Sequence, residues 1–411
     1  MPEFLQLLPP EIARRRWFEA VTYRCAAQAL PTVQACGRVL ANSVFAPAPL
    51  PAFPRSEVDG YAVRAADTYG ASEALPAYLE VIGEVTMGSA TPLSLGPGQT
   101  ALIHTGGMLP AGADAVVMVE YTQISRDGEV EILRPVAVGE NTLAVGEDVA
   151  IGAEVLPAGL RLRAADIGAL MALGITTVQV SQSPRVAVIA TGDEVIPPAQ
   201  TPGPGQIRDV NSYTLQAMIT QAGGQAVLYG IVPDKRQALE EVVQRAFAEC
   251  EALVVTAGSS ASTRDITAEV LDGLGAPGVL VHGVATKPGR PTILGAASGK
   301  PLVGLPGNPV SALVNAGLFV IPMVERLQGL THPRPAPVVR ARVTLNLASE
   351  AGREDWWPVR LHAVPGGWEA EPIFYKSNLI FRLIEADGLL KVPADATGLA
   401  LGEEAEVWLW G

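Results

Sequence analysis

The sequence predicts a multidomain α/β protein in which a β-rich insert precedes a doubly wound, mostly parallel α/β domain. Three observations predict it. Beyond Pro184, short apolar runs of strand type alternate with segments of helical length, the pattern of right-handed βαβ crossovers and a parallel sheet. Over residues 76–135 the apolar runs are instead short, β-like and divided by Gly and Pro. Between Ala46 and Pro54 four prolines fall in nine residues, which reads as a linker between folding units. A chain of 411 residues has length for three or four domains, and 48% hydrophobic residues can fill their cores.

Taken in order, the first segment shows helical periodicity through Trp17, Val21, Ala29 and Leu30, broken by prolines. The insert has strand-like runs at 79–85, 100–104 and 115–121. Residues 136–181 return to Gly-rich turns with one helical stretch, 164–173. Then come a buried-type strand at 185–190, a helix capped by Asn211, a strand at 226–232, an amphipathic helix from Arg236 and a third strand at 252–256. The apolar run 301–305 has strand character, Pro306-Gly307 forces a turn, and Asn308-Pro309 is the cap and first position of a helix running towards Arg326.

Charge and cysteine usage exclude several classes. A net charge of −13 opposes nucleic acid or an anionic membrane surface as partner, so an anionic ligand must be drawn in by a local patch. Cys25, Cys36 and Cys250 are widely spaced and include no CxxC pair, which indicates neither a disulfide framework nor a zinc site and fits a reducing cytoplasm. No signal peptide is expected, and the apolar segment 312–324, interrupted by Asn315 and Pro322, is too short to span a bilayer. A Walker A motif is excluded, because Gly295-Ala-Ala-Ser-Gly299-Lys300 is one residue short and ends in Pro301. No GxGxxG, HExxH or GxSxG occurs in the required context, and His104 and His282 stand alone.

The candidate site centres on residues 286–311. Lys287 and Arg290, separated by Pro288-Gly289, project two cations from one fixed loop, and the turn at Gly307 with Asn308 and Ser311 opens a helix whose first N–H groups suit an anion. A surface basic loop beside an ordinary αβ connection would show either half alone. Both halves within 26 residues point to a phosphate-rich ligand. In parallel sheets ligands bind beyond the carboxyl ends of the strands, and Glu194, Asp234 and Asp265 follow three successive strands. Each alone is ordinary turn chemistry. Three in register suit Mg²⁺ bridging to phosphate, since this hard cation takes few carboxylates, several waters and ligand oxygens.

Several co-linear stretches carry a resemblance: Val58-Asp59-Gly60-Tyr61-Ala62-Val63-Arg64, His104-Thr105-Gly106-Gly107, Thr191-Gly-Asp-Glu194, Lys287-Pro-Gly-Arg290-Pro and Gly304-Leu-Pro-Gly-Asn308-Pro-Val-Ser, with Gly352-Arg353 and Ser377 further on. Together they resemble the molybdopterin molybdenumtransferase family, which includes the C-terminal domain of gephyrin. The resemblance spans essentially the whole chain. It implies a discontinuous linker domain (1–46 and 136–181), the β-rich insert (47–135), a doubly wound molybdopterin-binding domain (182–330) and a C-terminal small β-barrel (331–411). It further implies a homodimer whose cleft takes Asp59 and Thr105 from the second subunit. The implied reaction inserts molybdenum from molybdate into adenylylated molybdopterin, with Mg²⁺ and release of AMP, downstream of a molybdopterin adenylyltransferase.

Carried over by motif, Asp59, Thr105, Glu194, Asp234, Asp265 and Lys287 are the catalytic candidates, with Glu194, Asp234 and Asp265 on the metal. Arg290, Gly258, Ser259, Ser260, Ser262, Gly307, Asn308, Ser311, Arg353 and Ser377 are the binding candidates. The chain departs from the family at Gly258-Ser-Ser-Ala-Ser-Thr263, where many members read Gly-Gly-Val-Ser-x-Gly, and so resembles a sub-branch with a Gly-Ser-Ser-Ala loop. Arg290 replaces the second Lys of the usual motif, keeping the charge and adding a fork of donors. A tungsten-inserting variant and a non-catalytic molybdopterin-binding scaffold of the same fold stay open as alternatives.

Overall fold

The computed structural model describes residues 7–126, 128–257, 261–333, 335 and 337–409, and of residues 261–265 the backbone alone. The chain divides into two compact units, one of Ser43–Pro157 with Ala165–Thr176, the other of Met1–Asn42, Ala158–Ala164 and Thr177–Gly411.

The smaller unit is built on a six-stranded sheet in the order Ala115–Met118, Gly60–Val63, Gln99–Ile103, Ala77–Glu84, Glu129–Ile132, Thr122–Arg126. All neighbours are antiparallel except Ala77–Glu84 beside Gln99–Ile103. Side chains of period two feed two cores. Tyr61, Val63 and Val117 enter one with Leu79 and Ile132, while Ala62 and Val116 enter the other with Val85 and Ile103. Gly60 is forced by close approach, since a Cβ there would overlap the Val117 carbonyl oxygen.

The larger unit contains the expected doubly wound sheet. Its order is Gln225–Val232, Arg185–Thr191, Ala252–Ala257, Lys300–Pro306, Ile293–Ala297, Pro277–His282. The first four strands are mutually parallel, and Ile293–Ala297 alone runs opposed. Their Val-rich sequences follow from burial on both faces. Val186, Val188, Val254 and Val303 pack with Leu215, Ile219, Phe319 and Trp17, whereas Ala187, Ile189, Leu253 and Leu302 pack with Leu239, Val243, Val270 and Leu271. The helix Pro10–Ala20 belongs to the first of these layers, where the buried Trp17 Nε1 donates to Gly295 O at 2.6 Å.

The helical run after Asn308 is not one uniform α-helix. It is α over Pro309–Asn315, π over Ala316–Val320 and α again over Ile321–Leu327. Pro322 explains the break, having no N–H to give the carbonyl four residues back and a ring that crowds it. The run is 19 residues long and apolar enough to cross a membrane by length and composition, yet it is mostly buried inside the protein, as a core helix is.

The C-terminal segment closes into a five-stranded barrel of Glu354–Val364, Gly367–Pro372, Val338–Val343, Glu404–Leu409 and Gly388–Val392, the last strand pairing back to the first. Val343, Val359, Ala370, Leu390 and Val407 fill it. The short strand Thr286–Lys287 pairs with Glu354–Asp355, which ties the Lys287–Arg290 loop to the barrel edge.

Candidate functional site

That pairing builds a cavity of about 360 Å³ lined by Lys287, Arg290, Asn308, Ser311, Asp355 and Ser377, with Trp356, Trp357 and Tyr375 as its aromatic wall. A second cavity of about 270 Å³ shares Lys287 and Arg290 and adds Thr286, Glu350 and Arg353. Five of the binding or catalytic candidates thus meet at the first cavity, and Arg353 stands at the second.

The loop bearing the two cations is held from beneath. Asn315, fully buried, donates from Nδ2 to Pro288 O at 3.1 Å and to Ser311 O at 2.8 Å, and its Oδ1 accepts from Thr292 Oγ1 at 3.1 Å. The single Thr292 hydroxyl proton is shared with Gly289 O, at 2.8 Å. Gly289 has φ +103°, and a Cβ there would overlap Asn315 Nδ2, so this position demands glycine. The Lys287–Pro288 peptide is cis.

At the helix start the expected cap geometry is altered. Asn308 occupies the cap position but makes no side-chain cap bond, and its Nδ2 instead donates to Ser377 Oγ at 3.0 Å. Pro309 has no N–H, and the Val310 N–H donates to Ser377 O at 3.0 Å. The first available amide is therefore used to dock the Ser377 segment, and the polar lining is supplied largely by side chains. Gly307 is fixed by Asn211 Nδ2, which donates to its carbonyl at 2.8 Å.

Four lining residues, Asp355, Trp356, Trp357 and Tyr375, were given no role by the sequence reading. Asp355 is 1% exposed and accepts at Oδ1 from Arg353 Nε at 2.9 Å, while Lys287 Nζ lies 3.6 Å from Oδ2. The Lys287 ammonium also sits 5.8 Å from the centre of the Trp357 ring. Trp357 meets Tyr375 edge-on at 6.0 Å, and the Tyr375 hydroxyl donates to Trp356 O. Burial, with the Asp355 charge adding, pushes that hydroxyl above its ordinary pKa, so Tyr375 stays protonated. The only sequence signal for Asp355 was its place two residues after Arg353.

At the strand ends, Thr191 and Val232 are register partners on neighbouring parallel strands, and Glu194 and Asp234 follow them, both half-buried. Asp193 Oδ1 accepts from Asp234 N at 3.2 Å, closing the two loops together. Among the described residues no three His, Cys, Asp or Glu side chains form a ready metal cluster. Gly258, Ser259 and Ser260 lie outside the described residues, as do the side chains of Ser262 and Asp265, whose backbones begin the helix Ala261–Asp272.

In the smaller unit Asp59 and Thr105 meet as a pair. Asp59 Oδ1 accepts from Thr105 N at 2.8 Å and from Thr105 Oγ1 at 3.1 Å. These two bonds, with His104 adding, hold the exposed Asp59 carboxyl below the usual carboxylate range. His104 is not isolated: its Nδ1 is 3.6 Å from Asp59 Oδ1 and its Nε2 is 3.1 Å from Glu84 Oε1.

The three segments of the chain match three family models: the MoeA N-terminal region (domains I and II) at residues 8–174, a probable molybdopterin binding domain at 187–326, and the MoeA C-terminal region (domain IV) at 340–410. Fold and site together therefore define a multidomain protein of the molybdopterin-handling class. A molybdopterin molybdenumtransferase of Nostoc sp. is 34% identical over 90% of this chain and 86% of its own length. Molybdopterin molybdenumtransferase 2 of Mycobacterium tuberculosis is 35% identical over 93% of this chain and 95% of its own. Two crystal structures of the molybdopterin biosynthesis MoeA protein of Pyrococcus horikoshii superpose with TM-scores of 0.80 and 0.85, at 36% and 31% identity, over 98% of this chain and 99% and 100% of theirs. The chain belongs to the molybdopterin molybdenumtransferase family, transferases of molybdenum cofactor biosynthesis.

Proposed function

We propose that this chain inserts molybdenum from molybdate into adenylylated molybdopterin and releases AMP in a Mg²⁺-dependent reaction. One observation carries the reading: Lys287, Arg290, Asn308, Ser311 and Ser377 meet on one cavity with an aromatic wall at Trp357. That combination suits a ligand with a flat ring and a pyrophosphate. Lys287 and Arg290 neutralise phosphate oxygens, the Ser311 and Ser377 hydroxyls donate to them, and Trp357 offers a ring face.

The donor chemistry fits Mg²⁺. Glu194 and Asp234 are half-buried oxygen donors following adjacent strands, and this cation is satisfied by few carboxylates when water and phosphate complete its shell. Glu194, Asp234 and Asp265 would hold it, and its charge would offset that building up on the pyrophosphate oxygens. Asp59, kept ionised by Thr105, is the carboxylate available from a second subunit of a homodimer. The substrate would arrive from a molybdopterin adenylyltransferase, and three free thiols suit a reducing cytoplasm.

The test supplies purified protein with adenylylated molybdopterin, molybdate and Mg²⁺. Wild type is expected to release AMP, and Asp59→Asn to bind the ligand without releasing it. Tight binding with no AMP from wild type would instead support a scaffold, and faster release with tungstate than with molybdate would support the tungsten reading. Lys287→Ala is expected to weaken binding at least tenfold, about 1.4 kcal/mol or more. Unchanged affinity would sink the phosphate role of that lysine.

A further inference from the structure

We propose that Asp355 is the positioning residue of Lys287, a buried carboxylate that fixes the ammonium at the cavity and limits how strongly it holds an anion. The proposal rests on the cavity being the substrate site, and it concerns a residue to which the sequence reading assigned no role there.

Three observations carry it. Asp355 is 1% exposed, and its Oδ1 takes Arg353 Nε at 2.9 Å, whereas Oδ2 is buried with no hydrogen-bond partner among the described residues. A buried carboxylate oxygen left this way is costly unless a cation compensates it. The cation facing it is Lys287 Nζ at 3.6 Å, on a side chain half exposed to the cavity. Finally, backbone pairing fixes the spacing, because Lys287 and Asp355 are register partners of two paired strands. Trp357, with its ring centre 5.8 Å from Nζ, borders the ammonium on another side.

The arrangement leaves Lys287 poised. At 3.6 Å it is drawn to Asp355 but is not locked in a short hydrogen bond, so an arriving anion can take its N–H groups while Asp355 keeps the ammonium in place. Two consequences oppose each other. Removing the Asp355 charge leaves the site more cationic, so an anion binds at least as well. Removing the tether lets the flexible lysine wander, so the reacting geometry is lost.

Asp355→Asn keeps the size of the side chain and an oxygen for Arg353. The full-length variant is expected to show KM for adenylylated molybdopterin unchanged or lowered up to about threefold, with kcat down about tenfold or more. Lys287→Ala should raise KM, and the double variant should have the kcat/KM of Lys287→Ala alone within about twofold, because a tether without its lysine does nothing. A raised KM or a kcat within about twofold of wild type in Asp355→Asn, or multiplicative losses in the double variant, would overturn the proposal while leaving the assigned reaction intact.

A second arm needs neither activity nor folding of the Asp355 variant. Lys287→Met changes an exposed residue, where substitution is ordinarily near neutral. If the lysine compensates Asp355, its thermal midpoint falls by about 2 °C or more. A midpoint within about 1 °C of wild type shows that no tether exists.

Discussion

At the scale of single residues, the cavity depends on groups that do not line it. Asn315 is the clearest case, since one buried amide satisfies the carbonyls of Pro288 and Ser311 and the hydroxyl of Thr292. Asn315→Ala strands these partners and opens a void, so denaturant unfolding should show a loss of about 2–4 kcal/mol. Asn315→Asp should cost at least as much, because it sets a carboxylate oxygen against the Pro288 and Ser311 carbonyls in a fully buried site. A loss below about 0.5 kcal/mol for the alanine variant would mean the loop is held by other means. The cysteines give a pH-dependent readout of burial. Burial and the neighbouring Glu251 push the Cys25 thiol up to about 12, and burial also raises Cys250, whereas Cys36 is exposed. The thiolate is the nucleophile, so at pH 8 only about one Cys25 in 10⁴ is reactive. Iodoacetamide at pH 8 should therefore label Cys36 first, with the other two labelled only in denaturant. Raising the pH towards 12 should speed Cys25 labelling, and equal labelling of all three in native protein would refute this.

At the scale of elements, local sequence decides more than motif reading suggests. Residues 295–300 were excluded as a phosphate loop, and Lys300 has another task. It begins the strand Lys300–Pro306, and its Nζ donates to Phe247 O at 2.9 Å and Cys250 O at 2.8 Å. Those are final carbonyls at the end of the helix Arg236–Glu249, whose last turn carries no basic residue of its own. A cation there satisfies orphan carbonyls and opposes the negative end of the helix dipole. Lys300→Met is expected to cost about 1 kcal/mol and to speed amide exchange in the last turn of that helix. Unchanged exchange there would show that the helix end is satisfied otherwise. The π segment Ala316–Val320 teaches the same lesson in reverse, because Pro322 announced the break although the apolar periodicity around it read as continuous helix.

At the scale of the whole molecule, the doubly wound sheet was legible because parallel strands buried on both faces leave Val-rich runs between helical segments. The strand Gly60–Val63 was not legible as a strand, since all four residues are buried and no polar alternation marks it. The closed barrel and the contact of Lys287 with Asp355 were equally hidden at residue level, because both come from strand pairings distant in sequence. Lys287, Arg290, Asn308 and Ser311 were legible together as an anion site from their spacing and Ser377 only through the co-linear motifs, while their convergence on one cavity is a tertiary fact. The assembly is testable on the same terms. If Asp59 serves the cavity of a second subunit, Asp59→Asn and Lys287→Ala are each strongly impaired alone at low substrate but repair one another across a dimer. In a mixed dimer, one composite site carries both defects and the other carries neither. Co-refolding equal amounts makes half the dimers mixed, so AMP release should recover to about one quarter of wild type. Sites formed within a single chain would give no recovery at any mixing ratio, and a chain that sediments as a monomer at assay concentration would exclude a shared cleft.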